Sequence, residues 1–434
     1  RLLVEGLKLF ADAFEKLLGS IGAKLAAHAS TQVTRPRYRL PAKLAKRVEA
    51  TLATWQPKVE QLWGRDASLW TGGDESNWLA WLGIVAEEQG KLDELKAFAD
   101  EVKAAGFEHA LLLGMGGSSL APEVLKATFA RVPEFPALHV LDSTDPAQLL
   151  AYEAKLDLAE TLFIVASKSG STLEPYILKQ YFFDRVRQLV GPAEAGRRFI
   201  AITDPGSNLE AVATADGFRR IFHGHPAIGG RYSALSQFGM VPAAVLGLDV
   251  ERLLARAQRM IERCKPAVPV EENPALPLGV VLGEAARAGC DKLTLITSQP
   301  LRAMGAWVEQ LVAESTGKAG KGIIPVDCET IGEANVYGAD RLFVYVRLAT
   351  APDASLDYAV DALEKAGHAV VRIDVESIDD LGQEMFRWEF ATAVAGAVLG
   401  INPFDQPDVE ASKIATKALT NQYEFNGALP SEKP

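Results

Sequence analysis

The stretch VASKSGSTLEP, residues 165–175, sets four hydroxyl side chains and one lysine around Gly170 at the end of an apolar run. Ser167, Lys168, Ser169 and Thr172 are candidate ligands for a phosphate monoester. A helix N-terminus supplies unpaired amides and a favourable dipole, and these side chains add several donors. The dipole contributes only about 0.3–1 kcal/mol, so hydrogen bonds must do most of the binding. A local account competes: Ser171 and Glu174 have the Ser-x-x-Glu spacing of a capping box. That account leaves Ser167, Lys168 and Ser169 unused, and the residues alone leave both open.

A second turn, LLLGMGGSSLAPEVL (111–125), places Gly114, Gly116 and Gly117 between a strand-like run and a helical one. A P-loop needs a lysine just after its last glycine, and none occurs between Gly117 and Lys126. A dinucleotide fingerprint needs Gly or Ala where Ser119 stands, although Asp142 sits about where a ribose-binding acid would. The remaining reading is a turn whose glycines, Gly117 among them, let backbone amides approach an oxygen-rich ligand, with Ser118 offering a hydroxyl.

These turns need a scaffold that presents strand ends side by side. HALLLGMGG (109–117), ALHVLDST (137–144), TLFIVASKS (161–169) and RFIAITDPGS (198–207) each read as a strand ending in small or polar residues. Continuous apolar runs separated by helices imply parallel sheets covered on both faces, with ligands at the strand C-termini. The pattern restarts at KLTLITSQ (292–299), RLFVYVRL (341–348) and AVVRIDVE (369–376). The expected fold is therefore α/β, with two doubly wound parallel-sheet domains flanked by helical N- and C-terminal segments. The expected division is an amphipathic helix and linker over 1–43, with the helix at 2–26 and the linker at 31–43. Helices follow over 44–105, in which Trp55, Trp63, Trp70, Trp78 and Trp81 supply packing bulk. A first α/β domain spans 106–255, a second 256–400 with a proline-rich stretch at 264–277, and a C-terminal helical segment 401–434.

Lys and Arg number 45 against 56 Asp and Glu, a formal charge of −11, which disfavours nucleic acid or an anionic membrane as partner. The apolar run at 390–401 is too short to span a bilayer and reads as a core helix. Three widely spaced cysteines offer neither a disulfide framework nor a metal-ligand spacing, and they suit a reducing cytoplasm. His223 and His225, two apart, would point to opposite faces of a strand and form no metal site. The first residue is Arg, and no leader-like segment follows it.

Taken in order, GMGGSSLAP, SKSGSTLEP, GGRYSALSQFG (229–239), AESTGKAGKGIIP (313–325) and NPFDQPDVEASK (402–413) resemble the phosphoglucose isomerase family. The resemblance implies two sugar-isomerase (SIS) domains, a sugar-phosphate substrate, commonly a homodimer, and no metal or organic cofactor. It implies that Glu314 is the base that moves a proton between C2 and C1. Arg231 would stabilise the enediolate, Lys413 would act near O5 or O1, and Gln406 would touch the substrate. Without the resemblance, Glu314 and Lys413 would read as solvated helix positions. One departure bears on ring opening, because no histidine lies between Glu314 and His368. His368 precedes a strand and is expected at the edge away from the ligands. Ring opening falls to Lys413, with His223 and His225 in reserve. VEGLKLFADAFEKLLGSIGAK (4–24) is similar to the closing helix of bacterial transaldolases, which some bacteria fuse to this isomerase; Arg1 would then mark a truncation. Two further readings stay open: a dual phosphoglucose/phosphomannose isomerase, and a non-enzymatic sugar-phosphate-binding regulator.

Overall fold

The structure is a computed structural model that describes residues 33–431, the side chain of Glu410 excepted. The amphipathic helix expected over 2–26 lies outside the described residues. Among the described residues, ten strands form two five-stranded sheets. Strand β1 is Arg37–Arg39; β2 to β6 are His109–Gly114, Ala137–Leu141, Thr161–Ala166, Phe199–Thr203 and Arg220–His223. Strands β7 to β10 are Lys292–Thr297, Ile324–Val326, Arg341–Leu348 and Ala369–Val375. The first sheet has order β3-β2-β4-β5-β6 and is parallel throughout. The second has order β1-β10-β9-β7-β8, parallel except for β1, which runs antiparallel on β10.

Both sheets are buried on two sides, which is why their strands lack a polar face. Along β2, Ala110 and Leu112 enter the large core shared with the second sheet, while Leu111 and Leu113 enter a separate cluster with Phe163, Phe182 and Phe199. This alternation is the period-two geometry of a strand applied to an all-apolar run. In the first sheet β2 lies between β3 and β4, so the chain reverses direction of winding there. The crevice beyond the C-termini of β2 and β4 is the topological switch point, and both polar turns sit at it.

Two regular elements cross the expected divisions. Residues 31–43 do not act only as a linker, since Arg37–Arg39 adds an edge strand to the second sheet. The division at 255/256 falls inside a continuous helix, Val250–Arg263, N-capped by the Asp249 side chain. That helix packs against Leu381–Leu399: a Cβ on Gly382 would stand 2.4 Å from the Leu253 carbonyl. The apolar run at 390–401 does form part of a core helix, Leu381–Leu399, buried on almost every side.

That helix meets Leu276–Arg287 at small residues. A Cβ on Gly279 would lie 2.4 Å from the Ala391 carbonyl and 2.6 Å from the Val394 Cβ. Because backbone, not a flexible tip, is the obstacle, Gly279→Val is expected to destabilise the fold by about 1–3 kcal/mol through overpacking. Urea denaturation checks this, and an unchanged midpoint would show that the two helices can separate freely.

Candidate active site

Each site residue is delivered by a local feature of the sequence. Gly116, at φ 53°, begins the tight turn Gly116–Ser118 after β2. A Cβ on Gly117 would come within 2.2 Å of the Gly230 carbonyl, so two glycine turns touch backbone to backbone and bring Arg231 beside the first. Ser233 steadies this contact, its Oγ donating to the carbonyl of Gly230 at 2.6 Å. After β4, Gly170 at φ 64° turns the chain into the helix Leu173–Val190.

The capping box expected of Ser171 and Glu174 does not form. Thr172 is the N-cap and its side chain makes no capping bond, while the hydroxyls of Ser169 and Ser171 lie 2.9 Å apart. The first-turn amides are thus not claimed by that side chain, and Thr172 and Ser169 line the cleft. Lys168 also lines it, with its ammonium anchored 2.5 Å from Asp204 Oδ2 and 3.1 Å from the Pro226 carbonyl. Ser167 lies apart: it is buried, its amide donates to the Ile202 carbonyl at 3.0 Å, and it is not among the cleft-lining residues.

The helix Met304–Thr316 buries Met304, Trp307, Val308, Leu311, Val312 and Ser315 along one face. Gln310 and Glu314, four residues apart on its flank, face the cleft. Gln310 Nε2 donates to Glu314 Oε2 at 3.1 Å, while Glu314 Oε1 pairs with Arg231 Nη1 at 3.1 Å. Arg231 is 2% exposed, and acceptors surround its guanidinium. Nε donates to Ser315 Oγ at 2.8 Å, Nη1 to Gln406 Oε1 at 3.1 Å, and Nη2 to the carbonyls of Pro403 at 2.7 Å and Asp405 at 2.9 Å. Lys318 holds the same loop, its Nζ donating to the carbonyls of Asn402 at 2.8 Å and Asp405 at 2.6 Å. Burial pulls the Lys318 ammonium below the usual lysine range, and the hydrogen bond to the Asp405 carboxylate pulls the other way. Burial likewise pushes the Tyr232 phenol, next to Arg231, above its usual value.

The result is one cleft of about 390 Å³ at the switch point of the first sheet. Gly117, Ser118, Lys168, Ser169, Thr172, Arg231, Glu314, Gln406 and Lys413 all line it, the last two brought by the C-terminal loop and the helix Pro407–Asn426. Gln310 and Trp78 join them; the sequence offers Trp78 only as packing bulk and does not mark Gln310. The i, i+4 spacing of Gln310 to Glu314 on an amphipathic helix was the available signal for the first. None of the three histidines lines the cleft. His223 Nε2 sits 2.8 Å from Glu210, His225 Nδ1 accepts from the Ala227 amide at 3.1 Å, and His368 Nε2 lies 2.8 Å from the Ala334 carbonyl. Among the described residues no group of His, Cys, Asp or Glu is placed to hold a metal, and no helix is long and apolar enough to cross a membrane.

The profile of the family described as "Phosphoglucose isomerase" matches residues 82–333. The chain belongs to the phosphoglucose isomerase family. The glucose-6-phosphate isomerase of Rubrobacter xylanophilus is 31% identical over 366 residues, 74% of this chain and 84% of that one. Among solved structures, a hypothetical protein from Thermus thermophilus superposes with TM-score 0.76 at 25% identity, covering 88% of this chain and 99% of that one. A glucose-6-phosphate isomerase from Chlamydia trachomatis superposes with TM-score 0.64 at 20% identity, over 82% and 76% of the two chains, which is a likeness of fold. The two largely parallel sheets with their helices agree with the α/β fold that the alternation of apolar runs implied.

Proposed function

We propose that the chain interconverts glucose 6-phosphate and fructose 6-phosphate, moving a proton between C2 and C1 through an enediol, as an enzyme of glycolysis and gluconeogenesis in the cytoplasm. The observation that carries this reading is the sharing of one cleft by a partly exposed carboxylate, Glu314, a buried guanidinium, Arg231, and an uncapped helix N-terminus at Thr172. The phosphate sits at the turn of Ser169 and Thr172, with Gly117 and Ser118 across from it and Lys168 supplying positive charge. Glu314 takes the C2 proton and returns it to C1; a positioned base is worth roughly 10²–10⁴ in rate. Arg231 faces the oxygens on which negative charge develops and stays protonated throughout. Gln406 orients a sugar hydroxyl, and Lys413 serves ring opening at O5 or O1. The chemistry needs no metal or organic cofactor.

The test is a coupled assay of the purified chain with glucose 6-phosphate, fructose 6-phosphate and mannose 6-phosphate in parallel, with and without chelator. Turnover of the first two, insensitive to chelator, is the expected result. Turnover of mannose 6-phosphate would show a dual isomerase, and binding without turnover would show a regulator. Thr172→Ala should raise KM about three- to tenfold with kcat little changed, because one hydroxyl bond to a charged phosphate is lost. An unchanged inhibition constant for a sugar-phosphate inhibitor would refute the phosphate turn.

Assembly is proposed as a homodimer. Support comes from the exposed Ile414, Tyr423 and Phe425 of the C-terminal helix, and sedimentation decides it. The resemblance of residues 4–24 to a transaldolase helix supports an isomerase joined to a transaldolase in one polypeptide.

A further inference from the structure

We propose that Trp78 is a sugar-contacting, specificity-determining residue, its indole forming the wall on which the C–H face of the closed hexose ring rests. This inference builds on the isomerase reading above. Trp55, Trp70 and Trp81 are buried in the core, whereas Trp78 keeps part of its ring exposed and lines the cleft. The rest of the lining is glycine, polar or charged apart from Met115 and Val409, so Trp78 is its one broad apolar surface.

Its position is held from three sides. The backbone at residues 79–80 is tied to 227–228: Leu79 bridges Ile228, and the Ala80 amide donates to the Ala227 carbonyl at 3.2 Å, just ahead of the Gly229–Arg231 turn. Trp78 Nε1 donates to Asp74 Oδ2 at 2.9 Å, and Asp74 Oδ1 accepts from Asn402 Nδ2 at 2.8 Å. Asn402 Oδ1 accepts from the Phe404 amide at 2.9 Å, within the loop whose carbonyls bind Arg231. On its remaining side the Lys168 ammonium lies 5.9 Å from the ring centroid. The indole therefore lines the same cleft as the phosphate turn and the guanidinium, within reach of the sugar carbons of a hexose phosphate bound there. A pyranose with equatorial hydroxyls presents an apolar face of C–H bonds, and an aromatic plane removes that area from water without competing for its hydroxyls. Asp74, by fixing the indole N–H, is a positioning residue for this wall.

The test compares wild type, Trp78→Ala and Trp78→Phe in steady state with glucose 6-phosphate, using inorganic phosphate and acyclic sorbitol 6-phosphate as competitive inhibitors. Trp78→Ala should raise KM about three- to tenfold, with the smaller part of the change in kcat. The inhibition constant of inorganic phosphate should stay within about twofold, and that of sorbitol 6-phosphate should rise less than KM; Trp78→Phe should recover most of the loss. An unchanged KM in Trp78→Ala overturns the inference. So does a phosphate constant that rises in step with KM, which would make Trp78 a support for Lys168 alone. If the alanine variant does not fold, Trp78→Leu keeps bulk without an aromatic plane and should show the same KM rise; wild-type KM in that variant overturns the inference equally. Absence of wild-type turnover would instead remove the isomerase reading itself, so the two failures are distinguishable.

Discussion

Glu314→Gln is expected to lower turnover of glucose 6-phosphate at least about 100-fold while leaving sugar-phosphate affinity near wild type. The substitution is nearly isosteric and keeps an oxygen able to accept from Arg231 Nη1, now 3.1 Å from Oε1. What it removes is the basicity of the carboxylate, since an amide oxygen accepts a hydrogen bond but is far too weak a base to take a carbon-bound proton. The loss should appear in kcat and kcat/KM alike, because in the proposed site ground-state binding rests on the phosphate turn and on Gln406 rather than on this carboxylate. Arg231 loses its ion-pair partner but retains Ser315, Gln406 and two loop carbonyls, so the guanidinium should hold its place. Steady-state kinetics with a binding isotherm for a competitive inhibitor check both halves. Near-normal turnover would remove Glu314 as the base, and a large loss of affinity would make the residue a structural strut.

What the sequence disclosed follows from how strongly each feature is coded. The strand Arg341–Leu348 is legible to the residue because the unbroken apolar run Leu342–Val346 lies at its centre. Strands β1, β6 and β8 escape because three or four residues carry no usable period, and β8 contains Pro325 at an edge position. The glycine turns are legible as close-approach points, yet nothing in GMGG says that its partner is Gly230, more than a hundred residues away. The capping-box pattern of Ser171 and Glu174 is a local signal overridden by tertiary structure: Gly170 packs onto Leu209 and Ser207, and the turn takes another shape. Trp78 and Trp81 read alike in sequence, because bulk carries no mark of whether it fills a core or walls a cleft. Glu314 and Lys413 became legible only through their company, since an acid or a lysine on an amphipathic helix is ordinarily solvated.

Arg231→Lys, conservative in charge, should cost nearly as much as the loss of the base. The native guanidinium spreads its donors over Ser315, Gln406, Glu314 and the carbonyls of Pro403 and Asp405, in a site 2% exposed. An ammonium has three donors and no planar fork, so at least two of these acceptors must go unpaired. Each buried acceptor left without a partner costs about 1–3 kcal/mol, which for two of them sets the expected destabilisation at about 2–6 kcal/mol by urea denaturation. Turnover should fall at least about 100-fold, because the charge proposed to face the enediolate is displaced as well as reshaped. The two losses can be separated, since Lys318 still donates to the carbonyls of Asn402 and Asp405 and keeps the loop anchored. A variant that folds with the expected loss of stability but turns over normally would show that Arg231 builds the cleft without stabilising the enediolate. A variant with wild-type stability would show that the loop carbonyls find other donors, and that the buried fork is not what holds the C-terminal segment over the site.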